Sequence, residues 1–170
     1  MKENTTNLKD LADTLAQRLL AEGFTVQRYD AYSTDSVYLK LDYGVCNSIR
    51  ISDHTGKKKL QYRYNIGTDI DSIRHEKPKR RGEYPRHYYP ARKMEKMVDW
   101  ILKDRKEKQE RYGKDRYYGF VQKNKVEHAN DAGFWRNSYL VYPEKKETYQ
   151  QLTLSDMDLE GLKPEGGITL

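Results

Sequence analysis

Two histidines, His75 and His87, share one stretch of chain with the carboxylates Glu76 and Glu83. Imidazole and carboxylate groups bind transition metals and move protons near neutral pH, so these four residues set the first chemistry to weigh. Their spacing matches no metal signature: the chain has neither an HExxH segment nor paired Cys/His ligands. Extra polar contacts are the plainer role for histidines so placed. A second pair, Asp53-His54, falls where a strand should end before the turn DHTGKK. By type it is an acid/base couple, but a turn-capping Asp beside an exposed His accounts for it with less. No GxxxxGK[ST], GxGxxG or GxSxG segment is present, so no nucleotide or acyl-transfer chemistry has a positive case.

Charge makes the same stretch more informative. In RHEKPKRRGEYPRHYYPARK, the cations Arg74, Lys77, Lys79, Arg80, Arg81, Arg86, Arg92 and Lys93 face only Glu76 and Glu83, a surplus of six. That surplus equals the formal net charge of the whole protein, +6, and the flanking regions are each neutral. The basicity therefore marks a place on the molecule. Lys and Arg neutralise phosphates and displace condensed counterions, Arg can grip them bidentately, and the rings of Tyr84, Tyr88 and Tyr89 can stack on unpaired bases. Together with His87, these residues form a candidate binding site for nucleic acid or a nucleoprotein. An acidic protein surface would suit the same cations, and a solvated loop is the bland reading of any charge run.

The elements that must position this segment follow from periodicity. Leu8, Leu11, Ala12, Leu15, Ala16 and Leu19 recur at helical spacing, with Asn7 as N-cap and Gly23 as stop. From Phe24 the period becomes two. Val37, Leu39, Leu41 and Tyr43 share one face, Ile49 and Ile51 another short strand, and Leu60, Tyr62, Tyr64 and Ile66 a third, predicting an antiparallel meander of three to four strands over 24–66. Pro78, Pro85 and Pro90 deny segment 74–93 a helix interior or a central strand, which predicts a loop. Met94, Met97, Val98, Ile101 and Leu102 then mark a second helix ending at Gly113, with Lys103 to Arg111 as a solvated face. RYYGFVQK and FWRNSYLVY are expected as further strands. The fold class is thus α+β, with 1–150 one domain and 151–170 an acidic, Gly-containing tail.

Cys46 is the single cysteine, which rules out an internal disulfide and favours a reducing, cytoplasmic setting. Its neighbours GVCNS offer no base or cation to activate it. The opening MKENTTNLKD has no signal-peptide core, and no apolar run approaches the roughly 20 residues of a membrane span. No cofactor and no membrane partner are expected, and nothing in the chain fixes an oligomeric state.

Three resemblances bear on these residues. The order helix, meander, helix resembles double-stranded-RNA-binding domains, although the Lys-rich first turn of that family's second helix is missing here. Tyr89-x-x-x-Lys93 resembles the nucleophile region of rolling-circle replication and relaxase enzymes, whose His-hydrophobe-His metal motif is absent. SVYLKLDYGVCNSIRISDH, Ser36 to His54, is similar to small uncharacterised proteins of phages and mobile elements, in which a Ser-x-Tyr strand leads to an IRISDH strand end. That likeness implies a bacterial host cell and, for some members, inhibition of host defence of the anti-CRISPR kind. The expected function is a non-enzymatic binding protein that engages nucleic acid or a nucleoprotein through the basic, Tyr-rich segment. The rival readings are a protein–protein inhibitor without nucleic-acid contact and a small nuclease or nucleotide-processing enzyme using His54, His75 or His87.

Overall fold

The computed structural model describes residues 7–32, 34–53, 62–128 and 133–144. His54, Leu60 and the tail 151–170 lie outside these. Helix α1, Leu8–Ala21, begins where the Asn7 side-chain oxygen accepts hydrogen bonds from the N–H groups of Lys9 (2.7 Å) and Asp10 (3.3 Å). Its six predicted stripe residues are all buried. Gly23 then takes a φ of 88°, a left-handed turn that glycine adopts without Cβ strain.

The strands are β1 Val26–Asp30, β2 Val37–Leu41, β3 Ser48–Ser52, β4 Tyr64–Gly67, β5 Arg74–Glu76, β6 Arg86–Pro90 and β7 Tyr139–Leu140. They form one sheet in the order β5-β6-β4-β3-β2-β1-β7. Strands β1, β2 and β3 make the predicted antiparallel meander. Strand β4 departs from it by running parallel to β3, and β6 runs parallel to β4. Residues 53–63 are too many for a hairpin turn, and a parallel neighbour requires such a longer connection. At the end of this pairing the backbones nearly touch, because a Cβ on Gly67 would lie 1.9 Å from the carbonyl oxygen of Ser52. Glycine is the residue that fits.

Cross-strand register carries one face through the whole sheet. Val37 sits opposite Ile51, Leu39 opposite Ile49, Ile49 opposite Tyr64, Ile51 opposite Ile66, and Ile66 opposite Tyr89. All of these are buried in a single core with the α1 stripe and with Met97, Val98 and Ile101 of α2, Met94–Tyr112. Both helices therefore cover the same face of the sheet.

Three expectations need correction. The segment 74–93 is a β-hairpin on the sheet edge rather than a loop, since Pro78 and Pro85 fall between its strands and Pro90 closes β6. RYYGFVQK belongs to a helix, α3, Lys114–Glu127, entered directly from the Gly113 stop of α2. Tyr117 and Asn124, seven residues apart, face the protein there: the Tyr117 hydroxyl donates to Asp42 Oδ2 (2.6 Å) and Asn124 Nδ2 donates to the Tyr43 carbonyl (2.9 Å). Two inward residues are too few to display a helical period in sequence. FWRNSYLVY yields only β7, preceded by a 3-10 turn over Gly133–Asn137. No helix among the described residues is long and apolar enough to cross a membrane.

Candidate nucleic-acid interface

Pairing of Arg74 with Tyr88, His75 with His87, and Glu76 with Arg86 sorts the hairpin into two faces. Arg74, Glu76, Arg86 and Tyr88 point away from the helices, while His75, His87 and Tyr89 point toward them. On the outer face the Arg74 guanidinium lies 4.1 Å from the centroid of the Tyr88 ring and bonds Glu76 at 3.2 Å. One of the two local carboxylates is thereby engaged at the hairpin root.

The other carboxylate is engaged in the turn. Glu83 Oε1 accepts from the backbone N–H groups of Lys79 (2.9 Å) and Arg80 (3.2 Å), and the Glu83 N–H donates to the Arg80 carbonyl at 3.2 Å. Gly82 supplies the positive φ, 88°, that lets the chain reverse. The bond from the Lys79 amide, then that from Arg80 and the charges of Arg86 and Arg80, hold the Glu83 carboxyl below its ordinary range against desolvation. The acid thus fastens the turn from within. Lys77, Lys79, Arg80 and Arg81 are exposed and form no ion pair among the described residues. Tyr84 is 54% exposed beside them.

The remaining sequence-derived residues divide. Arg92 is exposed and donates to the Asp71 carbonyl at 2.9 Å, and Lys93 is exposed at the start of α2. Two of the twelve do not reach the surface. Tyr89, 1% exposed, is a core residue whose hydroxyl burial pushes up to about 12, and His87 is 5% exposed. Inward alternation along β6 places both beneath α2, so neither ring is open to a ligand.

His87 instead faces His75, with Nδ1 atoms 2.7 Å apart. One proton lies between them. If His87 donates it, the buried His87 Nε2, which has no partner among the described residues, is a bare lone pair; if His75 donates it, that atom is an orphaned N–H, the rarer and costlier case. We therefore assign His87 as donor, with His75 Nδ1 as acceptor. Burial first, then the Arg63 and His75 neighbours, lower His87 to about 4, with Asp104 opposing. Glu76 and Glu83 do not join the pair, and no group of three or more His, Cys, Asp or Glu able to hold a metal occurs among the described residues. Cys46 is fully buried, and desolvation pushes its thiol up to about 12.

Three residues behind the hairpin were not singled out by sequence. Asp104 is buried on α2, where Oδ2 accepts from the Tyr64 hydroxyl (3.0 Å) and Asn47 Nδ2 (3.1 Å) and pairs with Arg63 at 3.3 Å. Its place seven residues beyond Met97 on the buried stripe was the available signal. Trp100, one turn earlier, stacks on His75 with centroids 4.6 Å apart. Arg63 immediately precedes β4. Compared with models of protein families, with curated proteins and with solved structures, the chain matches none.

Proposed function

We propose that this chain is a binding protein that grips the phosphate backbone of nucleic acid, free or within a nucleoprotein, with the turn of its β5–β6 hairpin. The observation that carries the reading is the arrangement of charge in that turn. Glu83 is folded onto the backbone amides of Lys79 and Arg80, and the side chains of Lys77, Lys79, Arg80 and Arg81 stand exposed and unpaired among the described residues. A turn tied by its own acid needs little backbone ordering when its cations bind, which favours affinity. On the resemblance of Ser36–His54 noted above, the proposed role extends to a phage or mobile element, including inhibition of host defence.

The test is fluorescence anisotropy with labelled single- and double-stranded DNA and RNA, using the intact protein and the variant Lys77→Ala/Lys79→Ala/Arg80→Ala/Arg81→Ala. The expected result is binding that weakens at least about tenfold in the variant, with an unchanged circular dichroism spectrum. Absence of binding to every probe, or equal binding by the variant, would overturn the reading. Capture of partners that survives nuclease treatment would then direct attention to an acidic protein surface.

A further inference from the structure

Beside the cationic turn stands an aromatic side chain that the phosphate grip does not use. Trp100 projects from α2 over β5, where the His75 ring stacks on the indole with planes 24° apart and His87 tilts against it at 5.1 Å. Lys103 Nζ lies 5.6 Å from the indole centroid. His75 and His87 thus hold the ring, which remains 37% exposed, and the exposed Lys103 side chain over it is the group an incoming base displaces. His75 itself is pinned by the 2.7 Å bond to His87 and by an edge-on contact with Tyr89 at 6.0 Å, so the indole rests on a support that is itself held.

Position adds to this. His75 precedes Lys77, the first cation of the turn, by two residues, at most about 7 Å along the backbone. An aromatic surface and a set of phosphate-binding cations therefore lie side by side on the sheet edge. Every nucleobase has a face that can stack on an aromatic ring, but in a duplex those faces are covered by neighbouring base pairs. An unpaired base can use such a ring without the cost of unstacking a duplex.

We propose that Trp100, backed by His75, is a base-stacking platform, and that the nucleic acid bound is single-stranded: its phosphates lie along Lys77, Lys79, Arg80 and Arg81, and one base stacks on the indole. This rests on the phosphate-binding reading above and names its substrate class. Exposure and confinement of Trp100 carry the inference, since a ring held in one orientation loses little freedom when a base settles on it.

A Trp135→Phe background leaves Trp100 as the sole tryptophan. Oligothymidylate and oligouridylate of about 15 nucleotides, and a duplex of the same length, serve as probes. The expected result is quenching of Trp100 fluorescence by the single strands, and a loss of about 5- to 100-fold in their affinity on Trp100→Ala, with an unchanged salt slope and partial retention by Trp100→Phe. Salt-steep binding that is indifferent to both Trp100 substitutions, or duplex binding as tight as single-strand binding without quenching, would overturn the platform and leave the phosphate grip standing. No binding to any probe would instead remove the phosphate grip, and the platform with it.

Discussion

His87 is a histidine kept neutral by its surroundings, and that has a pH signature. Arg63, His75 and Asp104 are the charged or titratable groups acting on it, with Tyr64 and Trp100 packed alongside. Burial, then Arg63, then His75 lower it to about 4, against about 6.5 in an unfolded chain. Because the folded state resists the proton that the unfolded state accepts, this contribution is complete above about pH 6.5 and is lost as pH falls toward 4. By about pH 5 the loss amounts to about 2 kcal/mol. Urea unfolding of the intact protein and of His87→Phe at about pH 7.5 and pH 5 should show the smaller acid loss in the variant; equal losses would contradict the assignment. The sequence displayed both histidines but not their meeting, which depends on the β5–β6 register. Asp104 was hidden differently: a lone acid among alternating charges looks solvated, and only the tertiary placement of Tyr64, Asn47 and Arg63 makes it an internal acceptor.

At the element scale, helices α1 and α2 and strands β2 and β3 were legible because apolar residues recur at clean periods of 3.6 and two, whereas α3 turns only Tyr117 and Asn124 inward and shows no such period. The hairpin was not, because three prolines and a run of cations conceal strands of three and five residues, and β6 has just one inward apolar residue, Tyr89, before its closing proline. Two features of these elements invite tests. Glu83→Ala should accelerate hydrogen exchange at the amides of Lys79 and Arg80, measured by NMR, with protection elsewhere in the sheet preserved. Unaltered exchange at both amides would mean that the carboxylate does not fasten the turn. Gly67→Ala should destabilise the protein by about 2–3 kcal/mol in denaturant unfolding, because the new methyl meets the Ser52 carbonyl and strands β3 and β4 must separate. A change within about 0.5 kcal/mol would show that the β3–β4 pairing is looser than described.

Across the whole molecule, one sheet with two helices on one face supports a basic hairpin at its edge, while the rest of the chain is charge-neutral. Such separation concentrates positive potential where the turn projects, a field that would orient the approach of the proposed polyanionic partner. The candidate site was half legible: the eight cations and the exposed Tyr84 could be named from sequence, whereas the burial of His87 and Tyr89 and the addition of Trp100 required the register and the packing of α2. Counterion release at Lys77, Lys79, Arg80 and Arg81 is the central element of the proposed function. The most direct measurement is the salt dependence of binding to a single-stranded oligonucleotide, for the intact protein and for the variant lacking those four charges. Four phosphate contacts predict a log–log slope of about −3, approaching zero in the variant. A slope shallower than about −1 in the intact protein, or the same slope in both, would contradict it.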